Sequence, residues 1–129
     1  MTINVLVFDR WSKCELFKEY IGTRTKSLRC IYSFEYKDAL EKIKKNKPEI
    51  ILLGGDVDNE ELGSVILYNK IEELNLKTYK SLFISTWNAD EARILRDMIP
   101  NSFYCPFSET LANIVKEKAR QINKTKKSK

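Results

Sequence analysis

The sequence predicts a doubly wound α/β domain, with a five-stranded parallel sheet and five helices on its two faces. Two observations carry this. Short β-branched and apolar runs alternate with amphipathic helical stretches along the whole chain, which implies parallel pairing through right-handed crossovers. The segment PEIILLGGDVD, Pro48 to Asp58, is a short apolar run bounded by a proline and the pair Gly54-Gly55, the pattern of a strand buried on both faces. A chain of 129 residues suffices for one core of ordinary domain size.

Ile3 to Phe8 (INVLVF) is the first strand, followed by a helix in which Cys14, Phe17 and Ile21 recur at helical spacing with Leu16 and Tyr20 alongside. Leu28 to Phe34 (LRCIYSF) is the second strand. Lys37 to Asn46 is the second helix, with Leu40 and Ile43 on one face and lysines opposite, and Pro48 ends it and opens the third strand. Asn59 to Leu74 is predicted as the third helix, carrying Leu62, Val65, Ile66, Ile71 and Leu74, although Gly63 weakens it by about 1 kcal/mol relative to alanine. Asn75 to Lys80 is the exit loop. Leu82 to Thr86 is the fourth strand, Asp90 to Ile99 the fourth helix with Ala92, Leu95 and Ile99 inward, and Ser102 to Cys105 a short fifth strand. Ser108 is expected to cap a last helix bearing Leu111, Ile114, Val115 and Ile122. The division is therefore one domain over residues 1–122 and a basic, flexible tail over 123–129.

No apolar segment approaches the roughly 20 residues of a membrane helix, and the opening MTINVLVFDR lacks the layout of a secretory signal. A cytoplasmic protein with no membrane partner is expected. Cys14, Cys30 and Cys105 lie far apart, with no CxxC spacing and no histidine in the chain, so neither a disulfide framework nor a zinc site is indicated. No metal or other cofactor is expected. The net charge of +5 is local, because seven basic residues against one acidic residue follow from Lys116 onward and leave residues 1–115 near neutrality. Such a tail can hold phosphates through counterion release, but no base-reading helix or stacking aromatics accompany it, and nucleic acid is an improbable partner.

Ligands of doubly wound sheets lie beyond the carboxyl ends of the strands, where this chain places Asp9, Arg10, Gly54, Gly55, Asp56, Ser85, Thr86 and Cys105. Two stretches resemble the receiver domain of two-component response regulators. CPFSETL, Cys105 to Leu111, is similar to that family's closing Lys-Pro-Phe-Ser motif, and DALEKIKKNKPEIILLG, Asp38 to Gly54, is similar to its run from the second helix into the phosphoacceptor strand. The resemblance spans Asn4 to about Ile122. It implies a flavodoxin-like, receiver-type sheet of strand order 2-1-3-4-5.

The site residues depart from the pattern that the resemblance implies. Where the family ends its first strand on two acidic, magnesium-binding residues, Asp9 keeps the first and Arg10 replaces the second. Gly54 stands at the phosphoacceptor aspartate, Cys105 at the lysine that pairs with phosphate, and Ser102 at the aromatic switch position. Only the hydroxyl survives, as Thr86, or Ser85 if the register differs by one. Phosphoryl transfer to aspartate needs a nucleophile, a metal and a cation on the leaving oxygens, and all three are altered. Asp56 would return to the same face as Gly54 if the strand continued that far. Arg10 would supply a cation to Asp9 or Asp56 in place of the metal. A redox role for Cys105 has no assignable neighbouring thiol.

The expectation is a degenerate receiver that signals through phosphorylation-independent protein contacts, with no catalytic residues and no enzymatic activity. The family's output surface implies a contact through the fourth helix, fifth strand and fifth helix, here Arg93, Arg96 and Asp97 with Lys116, Glu117 and Arg120. These could pair across a twofold homodimer interface, the alternative being ordinary solvated charges. Trp11 and Trp87 are either core or, if exposed, partner anchors. The rival classes are a small-ligand or nucleotide-binding domain, against which stands the lack of GxGxxG, GxxxxGK[ST] and any histidine base, and a DNA-associated regulator using the tail.

Overall fold

A computed structural model of the chain describes residues 2–22, 27–54 and 63–127. Strands and helices alternate as β1 (Ile3–Phe8), α1 (Trp11–Ile21), β2 (Leu28–Ser33), α2 (Tyr36–Asn46), β3 (Ile50–Leu53), α3 (Gly63–Glu73), β4 (Ser81–Ile84), α4 (Ala89–Met98), β5 (Ser102–Tyr104) and α5 (Glu109–Lys127). All strand pairs are parallel and the sheet order is β2-β1-β3-β4-β5. This is the doubly wound arrangement of order 2-1-3-4-5.

Side-chain alternation along the strands builds two apolar layers. Ile3, Val5 and Val7 of β1 and Ile50 and Leu52 of β3 face α1 and α5, where Phe17, Leu111 and Val115 meet them. Leu6, Phe8, Ile51 and Leu53 face the opposite way, onto Ile43, Leu67, Ile71 and Leu95 of α2, α3 and α4. Because both faces are covered, every residue of β3 and β4 is buried, and the run after Pro48 reads as continuously apolar for that reason.

Helix α4 opens one residue earlier than the spacing alone predicts because Asn88 is its cap. The Asn88 carboxamide oxygen accepts from the backbone N–H groups of Asp90 at 2.9 Å and Glu91 at 3.2 Å, and both acidic residues lie in the positive first turn. Replacing Asn88 by alanine is expected to cost about 1 kcal/mol, measurable as a lower urea midpoint with an unchanged slope.

Several expected details are corrected. Phe34, Ser85, Thr86 and Cys105 lie just past the strands that were expected to contain them. The ladder thins there to single bonds, Ser85 N–H to the Leu53 carbonyl at 2.9 Å and Cys105 N–H to the Ile84 carbonyl at 3.0 Å. Leu74 is exposed, because α3 ends at Glu73 and the chain turns at Asn75 with φ of 55°, so that Leu76 packs on the core instead. Leu67 and Tyr68 are buried apolar α3 positions that the spacing missed, and Ile66, expected inward, is only half-buried. Ile114 is partly exposed, since α5 lies on the sheet through Leu111, Ala112, Val115, Ala119 and Ile122. Ser108 immediately precedes α5, its carbonyl accepting the Leu111 N–H at 3.1 Å and its hydroxyl donating to the Pro106 carbonyl at 3.2 Å. Helix α5 continues to Lys127, since residues 123–127 include no proline or glycine to stop it. Residues 59–62 of the expected third helix lie outside the described residues. No helix among the described residues is long and apolar enough to cross a membrane.

Candidate functional site

The parallel register Phe8↔Leu53 places Asp9 beside Gly54 at the carboxyl ends of β1 and β3. Two backbone bonds hold the pair, Asp9 N–H to the Ser33 carbonyl at 3.1 Å and Gly54 N–H to the Phe8 carbonyl at 2.8 Å. The Asp9 carboxylate lies across Gly54: a Cβ added there would stand 2.3 Å from Oδ1 and 2.7 Å from Oδ2. Any Cβ at position 54 would therefore force the Asp9 side chain to move. No side chain of any kind fits at position 54 while Asp9 keeps its place.

Asp9 is only 1% exposed. Its Oδ1 accepts the Arg10 backbone N–H at 2.8 Å, whereas Oδ2 is buried with no hydrogen-bond partner among the described residues. Burial pushes the carboxyl up from 3.8 to about 6; the positive charges of Lys13 and Arg10 and the Arg10 N–H pull it down, and Glu91 adds a small upward push. Arg10 thus contributes a backbone donor and a positive field. Asp56, the other expected acidic residue, lies outside the described residues.

Lys13 is a site residue that the sequence reading missed. It stands four residues after Asp9 and one turn into α1, and its Nζ lies 4.6 Å from the Trp87 ring centroid and 5.5 Å from that of Phe107. Trp87 in turn donates its indole N–H to the Phe107 carbonyl at 2.8 Å and meets the Phe107 ring edge-on at 5.7 Å. The cation at this end of the sheet therefore comes from α1, resting on aromatic faces. The signal that could have found it is the i, i+4 spacing of Asp9 and Lys13.

Thr86 is buried, but its hydroxyl donates to Glu91 Oε1 at 2.7 Å and accepts from Asn88 N–H at 3.2 Å, so it is spent on the start of α4. Ser85, its register alternative, is also buried and directs its hydroxyl to the Leu53 carbonyl at 3.5 Å. Cys105 packs in the apolar layer under α1 and α5 with Phe83 and Phe107. Its thiol, like that of Cys30, is pushed up by burial. The Cys14 thiol is pushed up to about 12, by burial first and then by the charge of Asp9. No described cysteine is an activated thiolate. Ser102 is buried and donates to the Ile99 carbonyl at 2.7 Å, while Tyr104, two residues on, sends its hydroxyl to the Thr86 carbonyl at 3.2 Å.

Asp9 is the described residue here that would ligate the magnesium that the resemblance implies, and Asp56 lies outside the described residues. Magnesium takes hard oxygen ligands, carboxylates among them, and among the described residues no group of three or more carboxylate or thiol side chains converges. Among the described residues, the Asp9 carboxylate faces the positive charges of Lys13 and Arg10, with the Glu91 carboxylate also within its field.

Of the surface residues, Arg93, Arg96 and Asp97 are exposed and line a groove of about 500 Å³ between α4 and β5. Glu117 lines a second groove on the other side of β5 with Phe103 and Ile114, and Arg120 pairs with Glu117 at 2.5 Å along α5. Lys116 is half-buried. Trp11 and Trp87 are both exposed, at 63% and 64%.

No protein-family model and no curated protein sequence matches this chain. Solved structures do. A signal receiver domain from Vibrio parahaemolyticus is 21% identical, with 97% of this chain and 98% of that one covered and a TM-score of 0.67. The response regulator domain of Thermotoga maritima CheB is 17% identical over 94% and 96% of the two chains, with a TM-score of 0.63. The phosphorylated cyanobacterial phytochrome response regulator RcpA is 18% identical over 91% of each, with a TM-score of 0.65. The strand order, the five covering helices and these near full-length superpositions together give this chain the receiver fold of response regulators.

Proposed function

We propose that this chain is a degenerate receiver, a cytoplasmic signalling module that acts through phosphorylation-independent contacts with a protein partner and has no enzymatic step of its own. The observation that carries this reading is the Asp9 carboxylate lying across Gly54. A glycine is no nucleophile, and the volume that an acceptor side chain at position 54 would need is filled by a residue of β1's own end. Lys13 and Arg10 supply positive charge beside Asp9, so the pocket balances its carboxylate with side chains. Thr86, which would contact a phosphoryl group, is engaged with Glu91.

Contact with the partner falls to the surfaces around β5. Arg93, Arg96 and Asp97 flank one groove and Glu117 and Arg120 the other, an arrangement compatible with an output protein or a second copy of the chain meeting α4, β5 and α5. Trp11 and Trp87, exposed near the Asp9 end of the sheet, are the anchors for a partner there.

The test is incubation with acetyl phosphate and magnesium followed by intact mass measurement. No phosphoryl adduct is expected. A stoichiometric adduct that disappears in Asp56→Asn or in Asp9→Asn would overturn the proposal, because either carboxylate would then be serving as the acceptor.

A further inference from the structure

Ser81 opens β4, and alternation puts its side chain on the same face as Phe83, the face that α1 and α5 cover. The residue is 2% exposed, and its hydroxyl is buried with no hydrogen-bond partner among the described residues. Such a group destabilises the fold unless something takes its proton. Against it lies a groove of about 210 Å³ lined by Lys80, Ser81, Lys118, Gln121, Ile122 and Thr125. The lining residues carry two ammonium groups, a carboxamide and two hydroxyls, and no carboxylate; the Thr125 hydroxyl donates to the Gln121 carbonyl at 3.0 Å, and the Lys118 Nζ lies 5.9 Å from the Phe103 ring centroid. Glu49 is the nearest acidic residue in the ladder, its carbonyl accepting the N–H groups of Lys80 at 2.7 Å and Ser81 at 3.2 Å. The Glu49 side chain is not part of the groove's lining.

A concave, donor-rich, positively charged lining over an orphaned hydroxyl matches an anion that accepts several hydrogen bonds at once. We propose that the groove between the start of β4 and the C-terminal half of α5 binds a small oxyanion of the phosphate class, with Ser81 as the buried donor and Lys80 and Lys118 as its counter-charges. The groove sits at the opposite end of the sheet from Asp9, so occupancy here is separate from any event at the strands' carboxyl ends.

Titration with inorganic phosphate against chloride at matched ionic strength, followed by amide chemical shifts, tests this. Saturable shifts are expected at Ser81, Lys118 and Gln121, with affinity reduced roughly 10-fold or more in Ser81→Ala, as for loss of a charged hydrogen bond, and likewise reduced in Lys118→Gln. The exposed Lys124→Gln variant, outside the lining, is expected to bind as the parent does. Sedimentation with phosphatidylcholine vesicles, with and without phosphatidic acid, tells a free anion from a lipid headgroup: binding that depends on phosphatidic acid and on Ser81 assigns the headgroup, and phosphate binding alone assigns the free ion. Absence of both, or phosphate shifts that are equal in the parent, Ser81→Ala and Lys118→Gln proteins, would overturn the proposal and leave only general attraction to a basic helix.

Discussion

Asp9→Asn is expected to stabilise the protein at pH 7 by about 3 kcal/mol and to leave it nearly unchanged close to pH 4. The carboxyl of Asp9 is raised from 3.8 to about 6 on folding, so the folded protein holds that proton more tightly than the unfolded chain does. The associated stability is fully present below about 3.8 and is lost as pH rises through about 6. Above that window the folded state carries an ionised carboxylate in a site that has little water to offer it. At 1.36 kcal/mol for each tenfold change in proton affinity, the difference is about 3 kcal/mol. The raised value is already net of the attraction from Lys13 and Arg10, which shows that burial outweighs both cations. Asparagine keeps an oxygen for the Arg10 N–H and removes the charge. Urea unfolding of both proteins from pH 4 to pH 8 measures the gap, and subtracting the two curves cancels the other carboxylates, Asp38 among them. An asparagine variant less stable than the parent at pH 7 would show that the charged contacts of Asp9 exceed its burial cost.

Gly54→Ala is expected to cost about 1–3 kcal/mol, the range for forcing a methyl group into filled space. The intruding Cβ would meet the Asp9 carboxylate at 2.3 Å, so Asp9 must turn out of its niche and surrender the Arg10 N–H. In an Asp9→Ala background the clash with the carboxylate is gone and the same substitution is expected to cost less. The double-mutant cycle should therefore show a coupling of about 1 kcal/mol or more between two residues 45 positions apart in the chain. Additive effects would mean that Gly54 is held by something other than Asp9. A consequence follows for function: Gly54→Asp alone is not expected to restore a phosphoacceptor, because its side chain and that of Asp9 claim one volume and repel each other.

These two substitutions probe one arrangement, a carboxylate folded onto a glycine with a lysine brought from α1. The arrangement ties Gly54 and Arg10 to Asp9. Gly54 makes the space, Asp9 fills it, and Lys13 with Arg10 provides the positive charge beside it.

The architecture was legible in the sequence because each element announces its own burial. Residues such as Ile50 to Leu53, apolar at every position, have one compact solution, a central strand covered on both faces, and the helices between the strands repeat at 3.6 residues because each covers one face of that sheet. That Arg10, Gly54 and Cys105 stand at the expected strand ends was likewise plain, since it follows from residue type and element order. Only the tertiary structure decided what those residues do. That Asp9 crosses Gly54 depends on the register between β1 and β3, that Lys13 faces Asp9 depends on how α1 leaves its strand, and that Cys105 sinks into an apolar layer depends on which way β5 presents it. The same holds for Leu74 and Ile114, apolar by type yet left toward solvent because a turn at Asn75 and the alanines of α5 set where the chain comes close. Periodicity along a chain encodes which face is covered, whereas contacts between elements far apart in sequence are set by register and packing, which no local pattern records.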